Sequence, residues 1–161
     1  MSSKRITRRL ALLGFLALAG CGFSPVYGPG GVGEVWQNAV TVTAPDSVFG
    51  FRIAGRLNDV LGEPSAVRFA LDVTPQIESD SATVTEDGDI TRINLTGNAT
   101  WVLTDLNGAQ VADGLVQTFA GYSATGSTVA TQAAESDAER RLAIALADLI
   151  VQQLLTQDIV Q

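Results

Sequence analysis

The chain has 161 residues, enough for one domain with appendages, and carries 17 acidic against 10 basic residues for a net charge of −7. It contains no histidine and a single cysteine, which removes serine–histidine and cysteine–histidine nucleophilic centres and the ordinary zinc sites. An acidic surface of this kind repels polyanions and argues against nucleic-acid binding, and with only carboxylates, hydroxyls and arginines left for chemistry the composition points away from an enzyme.

The first elements are not part of a fold. Lys4, Arg5, Arg8 and Arg9 precede an apolar run from Leu10 to Leu18, which ends in Leu18-Ala19-Gly20-Cys21. Basic residues, then a short apolar stretch, then small residues is the layout of a secretory signal peptide, and the run falls well short of the ~20 residues a membrane-spanning helix needs. Leu18–Cys21 also resembles the lipobox of bacterial lipoproteins. There the thiol receives diacylglycerol, the chain is cut before the cysteine, and the new amine is acylated. Residues 1–20 are therefore expected to be a cleaved signal peptide. Cys21 is the expected lipidation site, the chain's only covalent group, with no other cofactor. Each buried CH₂ contributes about 0.8 kcal/mol, so several acyl chains hold far better than one. Gly22, where inner-membrane lipoproteins carry aspartate, resembles an outer-membrane sorting signal. Residues 22–33 hold five glycines and two prolines without periodicity, so 21–36 reads as a lipidated tether and 37–161 as the folded domain. From Cys21 onward the basic residues are Arg52, Arg56, Arg68, Arg92, Arg140 and Arg141, against all 17 acids, an excess of eleven negative charges.

Within the domain, the β-branched stretch 39–43 predicts a short strand. Asp46 and Ser47 then offer N-caps to a helix over roughly 47–61, stopped by Gly62 with Pro64 beyond. Val48, Phe51, Ile53, Leu57, Val60 and Leu61 are expected on its apolar side, with Arg52, Arg56 and Asp59 opposite. Over 67–77 the alternation is clear: Val67, Phe69, Leu71 and Val73 face one way, and Arg68, Ala70, Asp72 and Thr74 the other. A longer alternating strand spans about 90–104, with Ile93, Leu95, Gly97, Ala99, Trp101 and Leu103 on one side. Asn107-Gly108 predicts a type I′ hairpin into a further strand near 110–120. Ser136 and Glu139 fit a capping box opening a C-terminal helix. Leu142, Ala145, Leu146, Leu149, Ile150 and Leu154 recur along it at helical spacing to about Thr156. Asp148, Gln152 and Gln153 exclude a membrane span, and an amphipathic lid on the sheet is the favoured reading over a membrane-surface helix, which would want more basic residues. The order is β-α-β-β-β-α: a two-layer α+β sandwich in which a mainly antiparallel four-stranded sheet is covered by two helices.

Glu86-Asp87-Gly88-Asp89 departs from a calcium-loop pattern, so a solvated turn is the reading there and no metal is expected. The polar side of the strands, with Asn94, Thr96, Asn98 and Thr100, is rich in hydroxyls and amides and poor in charge. It suits solvent, and it equally suits enclosure in a polar cavity, where unpaired charge is costly and neutral groups are easily satisfied.

The opening LAGCGFSPVYG, the element order, and the closing ESDAERRLAIALADLIVQQLL together resemble the LptE family of lipopolysaccharide-assembly lipoproteins, in particular its alphaproteobacterial type. The resemblance implies a structural role on the periplasmic side of the outer membrane. It implies plugging and supporting assembly of an LptD-like outer-membrane β-barrel, with lipopolysaccharide as a candidate ligand. Family members are described as binding that lipid through basic residues on the sheet and loops, which here leaves Arg68 and Arg92. The rival expectation is an auxiliary lipoprotein of an ABC-type lipid or solute transport system.

Overall fold

The structure, a computed structural model, describes residues 28, 31, 33–84 and 90–157. Cys21, the expected signal peptide, most of the expected tether and the acidic turn at 85–89 lie outside the described residues. The chain divides into two compact units, Met1–Glu34 and Val35–Gln161, and the second carries every element that follows.

The elements run β1 (Val40–Thr43), α1 (Val48–Leu61), β2 (Phe69–Val84), β3 (Ile90–Asp105), β4 (Gln110–Ser123) and α2 (Thr128–Leu155). They build one sheet in the order β1-β2-β3-β4, with β1 parallel to β2 and the other pairs antiparallel. The α+β reading, with its mostly antiparallel four-stranded sheet, is the fold observed. The parallel pair requires a crossover, and α1 supplies it.

Chain chemistry explains the helix boundaries. Ser47 is extended (φ −143°, ψ 157°) and its hydroxyl accepts from the Gly50 N–H at 3.0 Å, capping α1, while Gly62 closes it. The buried stripe of α1 is Gly50, Ile53, Leu57 and Leu61. Val48 and Phe51, expected inside, are instead strongly exposed. Phe51 stands two residues, roughly 200° of helical rotation, from Ile53 and so points the other way.

α2 begins two turns before the expected capping box. Its N-cap is Ser127, whose hydroxyl accepts from the Ala130 N–H at 3.4 Å. Ser136 and Glu139 lie inside the helix on one side, three residues apart, and receive Arg52 from α1. The guanidinium donates to the Ser136 hydroxyl at 3.1 Å and to the Glu139 carboxylate at 3.2 Å. Arg56, one turn on, donates to Asp148 at 2.8 Å. The supposed polar side of α1 is thus a clamp between helices. No helix among the described residues is long and apolar enough to cross a membrane.

The strands outrun their expected ends, β2 reaching Val84 and β4 reaching Ser123. The β2–β3 ladder carries polar residues such as Glu78, Ser79 and Asp80, paired with Thr96, Leu95 and Asn94, that favour strand only weakly by themselves. Pro75 sits inside β2, where its missing N–H is tolerated because β1 ends opposite Asp72 and leaves that edge open. The β3–β4 turn also differs from expectation. Gly108 alone in it has positive φ (80°), whereas type I′ needs two such residues. The Asp105 carbonyl accepts from the Gly108 N–H at 3.0 Å and the register slips between Leu103 and Thr104, giving a type I turn with a bulge.

The core lies between the sheet and the two helices. Val40, Leu71, Val73, Leu95, Ala99, Trp101 and Leu103 on the sheet meet Ile53, Leu57, Leu142, Leu146, Ile150 and Leu154. Gly97 sits close under α2: a Cβ there would stand 3.0 Å from Leu142 and 3.1 Å from Leu146. Trp36, placed in the tether by sequence, is 2% exposed and packs against Phe69 at 5.4 Å between ring centroids, so the core reaches back at least that far.

Candidate functional surface

Strand pleating sends alternate side chains to opposite faces, so the residues not facing the helices form a second, open face. On β3 these are Arg92, Asn94, Thr96, Asn98, Thr100, Val102 and Thr104. Register places Gly121 beside Asn94, Phe119 beside Thr96, Gln117 beside Asn98, and Leu115 beside Thr100. Phe119 is 72% exposed and Leu115 58%, both unusual for large apolar side chains in a strand. From Asn94 to Thr104 on β3, and from Leu115 to Gly121 on β4, the face holds no charged residue. Arg92 bounds this tract at one end and Asp113 at the other, where Gln110 donates to its carboxylate at 2.8 Å. Along β2 the same face carries Asp72, Glu78 and Asp80, all exposed.

Five of the six arginines beyond residue 20 have structural partners. Arg52 and Arg56 join the helices. Arg140 and Arg141 pair with Asp137, holding its carboxyl below the usual carboxylate range, and Arg141 also donates to the Gly121 carbonyl at 3.1 Å. Arg68 donates to the Val35 carbonyl and lies 5.6 Å from the Phe69 ring centroid, which ties it to the start of the domain. Arg92 alone among the six shows no hydrogen bond or ion pair among the described residues. Its guanidinium lies over Gly121, where a Cβ would come within 3.4 Å of it, beside a shallow cavity lined by Thr91, Gly121, Tyr122, Ser123 and Thr125.

Arg68 and Arg92 do not form one site. Arg68 immediately precedes Phe69, which pairs with Asp105, while Arg92 pairs with Thr83 near the far end of the same ladder. A dozen strand residues of about 3.3 Å each separate them, roughly 40 Å. Sequence reading did not single out Leu115 and Phe119; their alternation with Val116 and Ala120 was the available signal.

The edge of β4 is guarded from the helix side. Gln153 of α2 donates to the Leu115 carbonyl at 3.1 Å and accepts from the Trp101 indole N–H at 2.7 Å, and Arg141 covers the Gly121 carbonyl as above. Nearby, Tyr122 is buried close to Glu135, and burial first, then that carboxylate, raises its pKa. Among the described residues no cluster of acids suits a metal ion.

The family model for LptE lipopolysaccharide-assembly proteins matches residues 37–154, which takes in all four strands and nearly all of both helices. The chain belongs to the LptE family. Its fold is also that of several solved lipoproteins. A crystal structure from Caulobacter crescentus CB15, of a protein described there as a candidate lipoprotein, matches with a TM-score of 0.63 at 24% identity, covering 80% of this chain and 96% of that one. Rare lipoprotein B from Shewanella oneidensis matches with a TM-score of 0.55 at 12% identity, over 72% of this chain and 91% of its own. A minor lipoprotein from Acinetobacter baumannii gives 0.56 at 18% identity, over 73% and 90%. At such identities these likenesses speak for the fold alone. No curated protein sequence matches the chain. Within the LptE fold, the open face is the part of the sheet that the chain's own helices leave uncovered.

Proposed function

We propose that this LptE-family protein is an outer-membrane lipoprotein, anchored by acyl chains on Cys21 and facing the periplasm, that plugs and supports assembly of an LptD-like β-barrel during delivery of lipopolysaccharide. The family match over residues 37–154 carries the reading, and the lipobox and the solved lipoproteins of the same fold support it. The role is that of a binding partner and needs no catalytic group. A sheet face of hydroxyls and amides suits a water-filled lumen, since such groups can hydrogen-bond either water or a polar wall without an uncompensated charge.

Arg92 is the residue proposed for contact with the phosphates of lipopolysaccharide, because among the described residues its guanidinium has no ion-pair partner and it lines the same cavity as Ser123 and Thr125. Arg68, held by Val35 and Phe69, is the weaker of the two sequence candidates.

The test is affinity capture of the full-length lipidated protein from native outer membranes. An LptD-like barrel retained in detergent supports the reading; capture of inner-membrane transporter subunits instead would replace it with the auxiliary-transporter reading. Replacing Cys21 with alanine is expected to leave the domain folded and release it from membranes, seen as loss from the detergent phase on partitioning.

A further inference from the structure

We propose that Asn107 is a site of spontaneous deamidation, and that Asp105 holds it in the amide form by engaging both the atom that must attack and the atom that must leave.

Asn107 is the only asparagine in the chain followed by glycine. Deamidation there begins when the Gly108 backbone nitrogen gives up its proton and bonds to the Asn107 side-chain carbonyl carbon. The bond from that carbon to Nδ2 breaks, ammonia leaves, and a cyclic imide joins the two residues. Water then opens the ring at either carbonyl, leaving aspartate or isoaspartate at 107. Glycine favours the first step because no side chain shields its nitrogen and its backbone turns freely. Asn107 and Gly108 are both exposed in the β3–β4 turn, so water reaches them.

The turn works against that chemistry. The leaving atom, Nδ2 of Asn107, donates to the Asp105 carboxylate at 3.2 Å. The attacking atom, the Gly108 nitrogen, donates its proton to the Asp105 carbonyl at 3.0 Å. Reaction needs that nitrogen stripped of its proton and brought within about 3–3.5 Å of the side-chain carbon, and both changes break bonds to Asp105. The Asp105 carboxylate is also a poor base for the step. The Asn107 and Ala109 N–H groups bond to it at 2.8 Å each, and together with the Asn107 amide they lower its pKa. Conversion would remove the amide donor and set a second carboxylate beside Asp105, like charge against like.

The experiment incubates the full-length protein, folded, in mildly alkaline buffer below its melting temperature. Peptide mass spectrometry follows the amide-to-acid mass gain at each asparagine. In urea the unfolded chain should convert at Asn107 ahead of every other asparagine, and the folded parent should convert there more slowly than the unfolded chain. Asp105→Ala, kept below its own melting temperature, should convert about tenfold faster than the folded parent, the size expected for losing hydrogen bonds to a charged group. Asp105→Asn keeps an acceptor without the charge and should fall between the two. Gly97→Val, a destabilised control with the turn untouched, should convert like the parent. The proposal is overturned if another asparagine outpaces Asn107 in the unfolded chain, or if folding does not slow conversion there. It is also overturned if neither Asp105 variant is faster than the parent, or if Gly97→Val is accelerated as much as they are, since overall stability would then set the rate.

Discussion

Asp105 shows how one carboxylate can organise a turn. It accepts from the N–H groups of Asn107 and Ala109 at 2.8 Å each, and the Asn107 side-chain amide adds a third donor at 3.2 Å. The Ala109 bond first, then the Asn107 amide, hold its pKa below the ordinary 3.8. A depressed carboxylate pKa stabilises the fold at pH values above its unfolded value, and that contribution fades as pH falls through the folded value. Asp105→Asn should therefore melt at a lower temperature than the parent at pH 6, with the gap narrowing below about pH 3.8; a gap that stays constant to pH 2.5 would deny the charge a role. Three residues on, Gly108 stands at φ +80° with open space where a Cβ would go, so the obstacle to substitution is the backbone alone. Gly108→Val should cost about 1–3 kcal/mol, and Gly108→Asn less, because asparagine tolerates the left-handed region and β-branched residues resist it. Thermal or urea unfolding of the two variants orders them. Tyr122 works in the opposite sense: burial raises its pKa, so the stability it gives is complete below about pH 10 and is lost above it as the phenolate forms.

Between elements, the governing contact is α2 on the sheet at Gly97. Strand and helix approach there until a single added methyl would touch both Leu142 and Leu146. Gly97→Val should cost about 1–3 kcal/mol by overpacking, measurable as a lower denaturant midpoint with unchanged slope. The inter-helix ion pairs are minor by comparison. Arg52–Glu139 and Arg56–Asp148 have side chains roughly a quarter to two-fifths exposed, and a double-mutant cycle on either should return about 0.2–1 kcal/mol. Much at this scale was legible in the sequence. Period-two alternation marked β2 and β3, Ser47 and Gly62 marked the ends of α1, and Asn107-Gly108 marked a hairpin. What escaped was decided by contacts distant in the chain. The first two turns of α2 have little apolar periodicity, so their helical state rests on the Ser127 cap and on late contacts such as Glu135 with Tyr122. The Ser136–Glu139 pair looked like a cap because the same three-residue spacing also suits an incoming arginine. Arg52 and Arg56 looked solvated because nothing in α1 names α2 as their partner.

For the molecule as a whole, legibility depended on register. Both candidate arginines were visible as strand residues, but only the ladder through Phe69–Asp105 and Thr83–Arg92 sets them at opposite ends of the sheet, and only the tie from Arg68 to Val35 commits one of them to structure. The same tie bears on where the domain begins. A glycine-rich approach suggested that nothing before residue 37 matters to folding, yet the Trp36 ring is nearly inaccessible, lies against Phe69, and sits beside the carbonyl that Arg68 holds. Removing a buried tryptophan side chain costs about 3–5 kcal/mol, a large share of the 5–15 kcal/mol that holds a typical domain together. Trp36→Ala in the full-length chain is therefore expected to lower the melting temperature by more than ten degrees and to loosen the β1–β2 end of the sheet first. Amide exchange should show it: protection at Val40–Thr43 and Phe69–Leu71 should fall while Leu95–Trp101 under α2 keeps its own. Equal loss across all strands would mean that Trp36 supports the domain globally, and no loss would return it to the tether.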